Sequence, residues 1–381
     1  MSKILLIDDE ANQGWKEILE KVFFEGQDIA IATTKHEAVE LLSQDAFELI
    51  FLDLRYGEND HHSSDLKTYQ GYEILTQEIR GGFEKLNFAT PVILFTASNK
   101  IWNIHGMLDA GADSFYIKEH PDQATDLDFS RQNFIRLTQQ IPSLLEMGKV
   151  RSSVLKKVNV ILDLIEGEVK NLNIRERIAE KLKIGYTTLF HRHSSFEHEK
   201  FAFNNELMTY ICFWSILEEI AKDSFEDKWI KSGPHEGKMA QDNWNLRNGQ
   251  RFIENLTFVN SDALTGYVRV QLVRDGVAYK KQQRDIPIKD KDIIYFQGKI
   301  GLPLQIYALM ILGKGWTAAE AKNRFYDHIQ FRNRVDFIHS SVEAIFTKNM
   351  SNQQDKSQAQ AYCIKMLDFL YILLSSPWTN P

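Results

Sequence analysis

Lys3-Ile4-Leu5-Leu6-Ile7-Asp8-Asp9-Glu10 is the stretch of sequence that decides the fold of the first part of the chain. A short apolar run is typical of a strand that is covered on both faces, and this run ends directly in acidic residues. Five strand-like runs alternate with segments of helical periodicity, which predicts a doubly wound, five-stranded parallel sheet with right-handed crossovers. The predicted strands are Lys3 to Ile7, Asp28 to Thr33, Leu49 to Leu52, Pro91 to Phe95 and Ser114 to Ile117.

Three acidic residues follow two of these strands. Asp8 and Asp9 close the first predicted strand, and Asp53 closes the third. In a doubly wound sheet the carboxyl ends of the strands meet at one crevice, where ligands bind. Carboxylates that lie together repel one another unless a cation offsets their charge. Mg²⁺ suits such a group best, because it prefers hard oxygen ligands and leaves room for phosphate oxygens.

Composition excludes several classes of protein. Hydrophobic residues make up 43% of the chain and charged residues 25%, which are ordinary values for a globular protein. No apolar run approaches the roughly 20 residues of a membrane span, and the start of the chain lacks the pattern of a signal peptide, so a cytoplasmic protein without a membrane partner is expected. The two cysteines, Cys212 and Cys363, support neither a disulfide framework nor a zinc site.

Four motifs, in order and at fitting intervals, resemble the CheY-like receiver domain of two-component response regulators. The resemblance covers residues 1–122 and implies a flavodoxin-like fold. The sequence pattern after this part predicts a helical linker over 123–174 and a mainly helical output domain over 175–381. The motifs are Lys3 to Glu10, Phe51-Leu52-Asp53, Phe95-Thr96-Ala97, and Gly111-Ala112-Asp113 with Lys118.

The resemblance assigns the phosphoacceptor and the metal ligands. It implies that Asp53 takes a phosphoryl group from the phosphohistidine of a sensor histidine kinase. Asp8, Asp9 and Asp53 would hold Mg²⁺, with the backbone carbonyl of Arg55 as a further ligand. A metal-dependent phosphoryl transfer of this kind would control the output domain.

The resemblance also assigns three residues around the phosphoryl group. Lys118 would supply a cation and Thr96 a hydroxyl to the phosphoryl oxygens, where charge develops during the transfer. Phe115 occupies the aromatic switch position of the family. A phosphoryl group would pull Thr96 inward and shift the population between two packed states.

Two departures from the family pattern lie near this site. Lys118 is followed by Glu119, where family members usually have proline. The segment from Tyr56 to Gln70 is several residues longer than the usual loop. It is interpreted either as a solvated loop or as a lid that slows water or recruits a partner.

The predicted linker contains a heptad pattern. A helix is expected from about Ser130, with an interruption at Pro142. The apolar spacing after it fits either one amphipathic helix on a core or a signalling helix that forms a homodimer. The heptad positions are Leu155, Val158, Leu162, Ile165, Val169 and Leu172.

One motif of the output region points to RNA. The segment from Phe331 to His339 resembles the motif of HEPN domains, many of which are ribonucleases, and its candidate catalytic residues are Arg332, Arg334 and His339. An imidazole and a guanidinium suit RNA cleavage as acid or base and as a phosphate ligand. The apolar stripe of the same segment fits an ordinary amphipathic helix equally well. Whether the output is an enzyme therefore stays open.

A second motif of the output region points to DNA. The spacing from Ile178 to Leu189 is similar to a helix-turn-helix with its turn near Lys183, which would bring Thr187, Arg192 and His193 near base edges. A plain helical hairpin and a protein-interaction output are the other interpretations. Residues Tyr267 to Tyr279 alternate in polarity across Arg274-Asp275-Gly276, which predicts a β-hairpin.

Overall fold

The computed structural model divides into two compact units, and each is described separately. The first unit contains residues Met1–Lys156 and Thr187–Phe203, and the second contains Lys157–Tyr186 and Asn204–Pro381. The domain boundaries suggested by the sequence, at 122 and 174, stay predictions. The structure describes residues 3–25, 27, 29–55, 65–97, 100–118, 127–190, 205–224, 256–262, 267–274, 277–283, 306, 309–334 and 353–378.

The first unit contains the predicted parallel sheet. Its strand order is β2-β1-β3-β4-β5, and every neighbouring pair is parallel. This order confirms the doubly wound sheet predicted from the apolar runs and the flavodoxin-like fold that the resemblance implies. The strands are β1 Ile4–Ile7, β2 Ile29–Ala32, β3 Leu49–Leu52, β4 Val92–Thr96 and β5 Ser114–Ile117.

Two apolar cores cover the two faces of the sheet, since successive side chains of a strand point to opposite faces. Leu5 and Ile7 of β1 lie in one core, and Ile4 and Leu6 lie in the other. All four residues are fully buried, as are those of β3, which explains why these strands are apolar without alternation. The helices that start in this unit are α1 Lys16–Val22, α2 Lys35–Gln44, α3 Gln70–Glu73, which continues as wider turns over Ile74–Ile79, α4 Ile101–Asp109 and α5 Leu127–Glu168.

The predicted interruption at Pro142 is wrong, because α5 continues from Leu127 to Glu168 through this residue. Proline has a helical φ, but inside a helix it removes one hydrogen bond and its ring crowds the carbonyl four residues earlier, at a cost of roughly 3 kcal/mol. The buried side chains of Leu137, Ile141 and Leu144 around Pro142 offset this cost. Of the heptad positions, Val158 and Ile165 are buried by the chain itself, whereas Leu172 is 63% exposed. This burial favours the interpretation as one amphipathic helix on a core.

The second unit is mainly helical and includes an antiparallel sheet. Its strands are β6 Leu256–Asp262, β7 Tyr267–Arg274 and β8 Val277–Gln283. Arg274 pairs with Val277, which confirms the predicted hairpin, whereas β6 was not predicted. The described helices are α6 Leu172–Phe190, whose last turn belongs to the first unit, α7 Asn205–Ser224, α8 Ala318–Arg334 and α9 Gln353–Ser375.

The turn of the predicted helix-turn-helix is wrong, because α6 is one unbroken helix from Leu172 to Phe190. Ile178, Leu182 and Tyr186 are fully buried at a spacing of four residues, so one continuous stripe crosses the predicted turn. Gly185 lies against α7, where a Cβ atom would be 2.4 Å from the ring of Phe213. No described helix is both long and apolar enough to span a membrane.

Candidate phosphoacceptor and metal site

The parallel pairing of β1 with β3 brings the three predicted acids together. Ile7 pairs with Leu52, and the backbone nitrogen of Asp53 donates to the carbonyl of Ile7 at 2.9 Å. Asp8 and Asp53 therefore leave neighbouring strands side by side. One carboxylate oxygen from each of Asp8, Asp9 and Asp53 lies within 4.8 Å of the others.

Backbone hydrogen bonds orient the two buried carboxylates. Asp8 is fully buried, Asp53 is 6% exposed, and Asp9 is exposed. The backbone nitrogen of Glu10 donates to Oδ1 of Asp8 at 2.9 Å, and that of Arg55 donates to Oδ1 of Asp53 at 3.3 Å. Each carboxylate thus accepts from a residue two positions further along the chain, as in an Asx turn.

Lys118 lies between the two buried carboxylates. It follows β5, and its backbone nitrogen donates to the carbonyl of Thr96 at 2.7 Å. Its Nζ donates to Oδ2 of Asp53 at 2.5 Å and to Oδ2 of Asp8 at 2.9 Å, with only 5% of the side chain exposed. The structure therefore places the predicted cation in contact with the predicted phosphoacceptor.

The charges at this site shift two pKa values. Burial raises the pKa of Asp53 to about 6, although Lys118 acts to lower it. Burial acts to lower the pKa of Lys118, but the charges of Asp53 and Asp8 outweigh it and raise that pKa. Lys118 therefore stays cationic and offsets one of the three carboxylates when all are ionised. The remaining negative charge on hard oxygen atoms fits a divalent cation such as Mg²⁺.

Thr96 and Phe115 lie on the neighbouring strands β4 and β5. Thr96 is the last residue of β4 and is 1% exposed. Phe115 is partly buried against the core, and the guanidinium of Arg136 lies 4.3 Å from the centre of its ring. Thr96 thus lies at the carboxyl end of β4, whereas Phe115 is the second residue of β5 and pairs with Leu94. Glu119, His120 and residues 56–64 of the long loop lie outside the described residues.

Tyr69 and Gly71 also lie against the loop that carries Asp53, and none of the four sequence motifs includes them. Tyr69 is fully buried, and the guanidinium of Arg55 lies 5.4 Å from the centre of its ring. A Cβ atom at Gly71 would lie 2.1 Å from the carbonyl oxygen of Asp53. Only glycine permits this close approach of two backbones. A glycine directly after a long loop was the one sequence signal for this contact.

Asp113 lies at the opposite end of the sheet, although it belongs to one of the four motifs. Its carboxylate accepts from the backbone nitrogen of Val92 at 2.9 Å, at the amino ends of β4 and β5. It also pairs with Arg80 at 3.2 Å and with Arg151 at 2.6 Å. Asp113 therefore has a structural role, because its contact with Arg151 joins the sheet to α5.

The structure describes only part of the predicted RNA site. Arg332 lies in α8, with its guanidinium 5.3 Å from the centre of the Trp214 ring. The side chain of Arg334 and all of His339 lie outside the described residues. Of the residues predicted to contact DNA, Thr187 is half-buried in α6, and Arg192 and His193 are likewise outside them.

Glu219 of α7 is also engaged in a structural contact. Its buried carboxylate accepts from Lys181 at 2.9 Å, from Arg177 at 2.9 Å and from Lys222 at 3.1 Å. The contacts with Lys181 and Arg177 join α7 to α6, whereas Lys222 lies on α7 itself.

Comparison with known proteins gives matches to solved structures alone, since no family model and no curated protein matches the chain. A CheY-like receiver domain from Methanospirillum hungatei is 22% identical with a TM-score of 0.29, over 39% of this chain and 97% of that one. A Burkholderia pseudomallei response regulator with a phosphorylated aspartic acid, a calcium ion and citrate is 18% identical with a TM-score of 0.27, over 49% of this chain and 91% of that one.

A third match is the response regulator TrrA from Thermotoga maritima in complex with Mg²⁺ and BeF, which is 23% identical with a TM-score of 0.23, over 35% of this chain and 97% of that one. The strand order β2-β1-β3-β4-β5 is the order found in flavodoxin and CheY. By its strand order, the first part of this chain therefore has the doubly wound fold that flavodoxin and CheY share.

Proposed function

We propose that the chain is a response regulator in which Asp53 accepts a phosphoryl group from a histidine kinase and thereby controls the helical second unit. The observation that carries this proposal is the contact of Lys118 with Asp53 and Asp8 at the carboxyl ends of neighbouring strands. A buried cation and three carboxylates that converge on one crevice match the needs of phosphoryl transfer, which depends on positioning and charge neutralisation.

The reaction is a displacement at phosphorus. A carboxylate oxygen of Asp53 forms the new P–O bond while the P–N bond to the histidine imidazole breaks, and the imidazole leaves with the electron pair. Lys118 already contacts Asp53, so its ammonium needs only a small movement to reach the phosphoryl oxygens. Thr96, at the end of β4, would donate its hydroxyl to the same oxygens.

Asp8, Asp9 and Asp53 would hold Mg²⁺, and the carbonyl of Arg55 would complete the protein ligands. When bound, the metal ion neutralises negative charge on the phosphoryl oxygens. Asp8 is fully buried and its Oδ1 is oriented by Glu10, so this ligand is positioned before a metal ion arrives.

Chemical phosphorylation tests the proposal directly. The full chain is incubated with acetyl phosphate and MgCl₂, and the added phosphoryl group is measured by intact-protein mass and located by peptide mapping. We expect labelling of wild type and of the control Asp163→Asn, whose carboxyl is exposed on α5, and no labelling of Asp53→Asn. Equal labelling of Asp53→Asn would contradict the assignment, as would unchanged labelling in EDTA.

For the second unit we propose only that it is a helical output regulated by phosphorylation of Asp53. Cleavage or binding of RNA by Arg332, Arg334 and His339 stays a prediction of the sequence, as do homodimer formation and binding of DNA. The contact of Arg332 with Trp214 supports a structural part for this arginine.

A further inference from the structure

The segment Asp65–Gly71 makes three contacts within the first unit, two with the loop Asp53–Arg55 and one with α4. Its last residue, Gly71, lies on the backbone of the loop that carries Asp53. A Cβ atom at Gly71 would be 2.1 Å from the carbonyl oxygen of Asp53 and 2.7 Å from that of Leu54. The backbone nitrogen of Gly71 also donates to the carbonyl of Leu54 at 3.3 Å. A shift of either backbone therefore displaces the other.

The second contact joins Tyr69 to Arg55. Tyr69 is fully buried below the guanidinium of Arg55, and its hydroxyl lies 3.5 Å from Nη2 of that residue. The backbone nitrogen of Arg55 in turn donates to the carboxylate of Asp53. Arg55 thus contacts the phosphoacceptor through its main chain and Tyr69 through its side chain.

The third contact is made by Leu66 with α4. Leu66 begins a short helical turn, Leu66–Thr68, that is capped by Asp65, whose carboxylate accepts from the backbone nitrogen of Lys67 at 3.0 Å. Cδ2 of Leu66 would lie 2.2 Å from a Cβ atom at Gly106 of α4. Leu66 therefore occupies the space that a side chain at this position of α4 would need.

Helix α4 packs Ile104 and Met107 into the core of the first unit, whereas other residues of this helix are less favourably placed. Asn103 of α4 is 1% exposed, and its side-chain nitrogen has no hydrogen-bond partner in the described part of the chain. Ile101 and Trp102 are 63% and 64% exposed. A buried unpaired amide is costly, so a position of α4 in which Asn103 gains a hydrogen-bond partner would relieve that cost.

We propose that Asp65–Gly71 is a bridge through which the Asp53 site controls the position of α4. The inference rests on the proposed function of Asp53. A phosphoryl group on Asp53 moves the backbone of Arg55, Tyr69 follows the guanidinium, and Leu66 withdraws from Gly106. The bridge belongs to the long loop of this chain and acts beside the path through Thr96 and Phe115.

Hydrogen exchange of the unmodified full chain tests the contact between Leu66 and α4. Exchange of peptides that cover Ile101–Asp109 is measured in wild type, Leu66→Ala, Gly106→Ala and the double variant. We expect faster exchange of α4 in Leu66→Ala than in wild type. The change in exchange rate caused by Gly106→Ala should differ by about fivefold or more between the wild-type and Leu66→Ala backgrounds. The reason is that the alanine methyl group clashes only when Leu66 is present. Additive effects of the two substitutions would overturn the contact.

Two matched controls separate this contact from general effects of the substitutions. Leu86→Ala removes a leucine that is 52% exposed in the same unit, and Gly167→Ala adds a methyl group that meets no atom within 4 Å. Neither is expected to change exchange of α4. A change in α4 in Leu86→Ala that equals that in Leu66→Ala would overturn the proposal.

Addition of Mg²⁺ and beryllofluoride tests the link to Asp53. In wild type we expect exchange to change in both Asp65–Gly71 and α4, whereas in Leu66→Ala the change in α4 is reduced to less than about half. An undiminished response of α4 in Leu66→Ala would overturn the bridge. If beryllofluoride changes no peptide of wild type, including those around Asp53, the proposed function fails, and the double-variant comparison still decides the contact of Leu66 with α4.

Discussion

The ammonium nitrogen of Lys118 lies 2.5 Å from Oδ2 of Asp53, so the candidate phosphoacceptor is ion-paired at the site where the phosphoryl group would be attached. The same nitrogen contacts Asp8 at 2.9 Å, and 5% of the lysine side chain is exposed. The contact therefore sits in a region of low dielectric, where an ion pair is stronger than at the surface. The charges of Lys118 and Asp53 should therefore affect both the rate of phosphorylation and the pH dependence of stability.

Replacement of Lys118 should slow phosphorylation. In Lys118→Met the phosphoryl oxygens lose a positioned cation, and we expect the rate of labelling by acetyl phosphate to fall by about 100-fold or more. The rate is measured from the time course of intact-protein mass at saturating Mg²⁺. Lys3→Met is the control, because Lys3 pairs with Asp45 at the surface and its side chain is 57% exposed. Equal rates in Lys118→Met and wild type would contradict the part assigned to Lys118.

The raised pKa of Asp53 should appear in the pH dependence of stability without metal. The folded pKa is about 6 against an ordinary value of 3.8, so the folded state binds more protons between these values. The contribution of Asp53 to the free energy of unfolding therefore increases as the pH falls. Relative to Asp53→Asn, wild type should gain on the order of 1 kcal/mol in the free energy of unfolding between pH 7 and pH 5.

Urea unfolding in EDTA at the two pH values measures this difference. With saturating Mg²⁺ the sign should reverse, because the metal ion binds the ionised carboxylate and its binding weakens as the pH falls. A difference between wild type and Asp53→Asn that does not change with pH in EDTA would argue against a raised pKa of Asp53.

Glu219 should stabilise the second unit in a pH-dependent way. Burial acts to raise its pKa, but hydrogen bonds from Lys181, Arg177 and Lys222 outweigh it and lower the pKa to about 2. A lowered pKa gives stability that is present above the ordinary value of 4.5 and is lost as the pH falls from there towards 2. Glu219→Gln should cost about 1–3 kcal/mol at pH 7, since it leaves the three cations without their carboxylate.

Glu218→Gln is the matched control, because Glu218 is exposed on the same helix and its replacement should change stability by less than about 0.5 kcal/mol. Urea unfolding at pH 7 and pH 4 provides the measurement. Equal losses in the two variants would show that the ion pairs of Glu219 contribute nothing specific.

Arg332 lies over the ring of Trp214, and substitutions can test whether the role of this arginine is structural or catalytic. If the contact is structural, Arg332→Met should lower the free energy of unfolding on the order of 1 kcal/mol. Cleavage of single-stranded RNA is measured in parallel for wild type, Arg332→Ala, Arg334→Ala and His339→Ala. Loss of cleavage in folded variants would support the ribonuclease interpretation, and unchanged cleavage in all three would refute it.

The sheet and the acidic site follow closely from the sequence. Strands β1 and β3 are continuous apolar runs that end in acids, so burial on both faces and the position of Asp8 and Asp53 at one sheet edge were both predictable. Predictions from local sequence patterns were wrong where tertiary packing determines the course of a helix. Pro142 stays inside α5, and α6 crosses the predicted turn at Lys183, because a buried face along each helix outweighs the local signals.

By itself, then, the sequence determined the doubly wound sheet and the acids at its carboxyl edge, because strand periodicity is a local property and the carboxyl ends of parallel strands meet at one edge. Only the tertiary structure decided which groups meet across long separations in the chain. Lys118 reaches Asp53 and Asp8, and Leu66 fills the space above Gly106. Such contacts depend on how separate elements pack against one another, and no spacing along the chain records that packing.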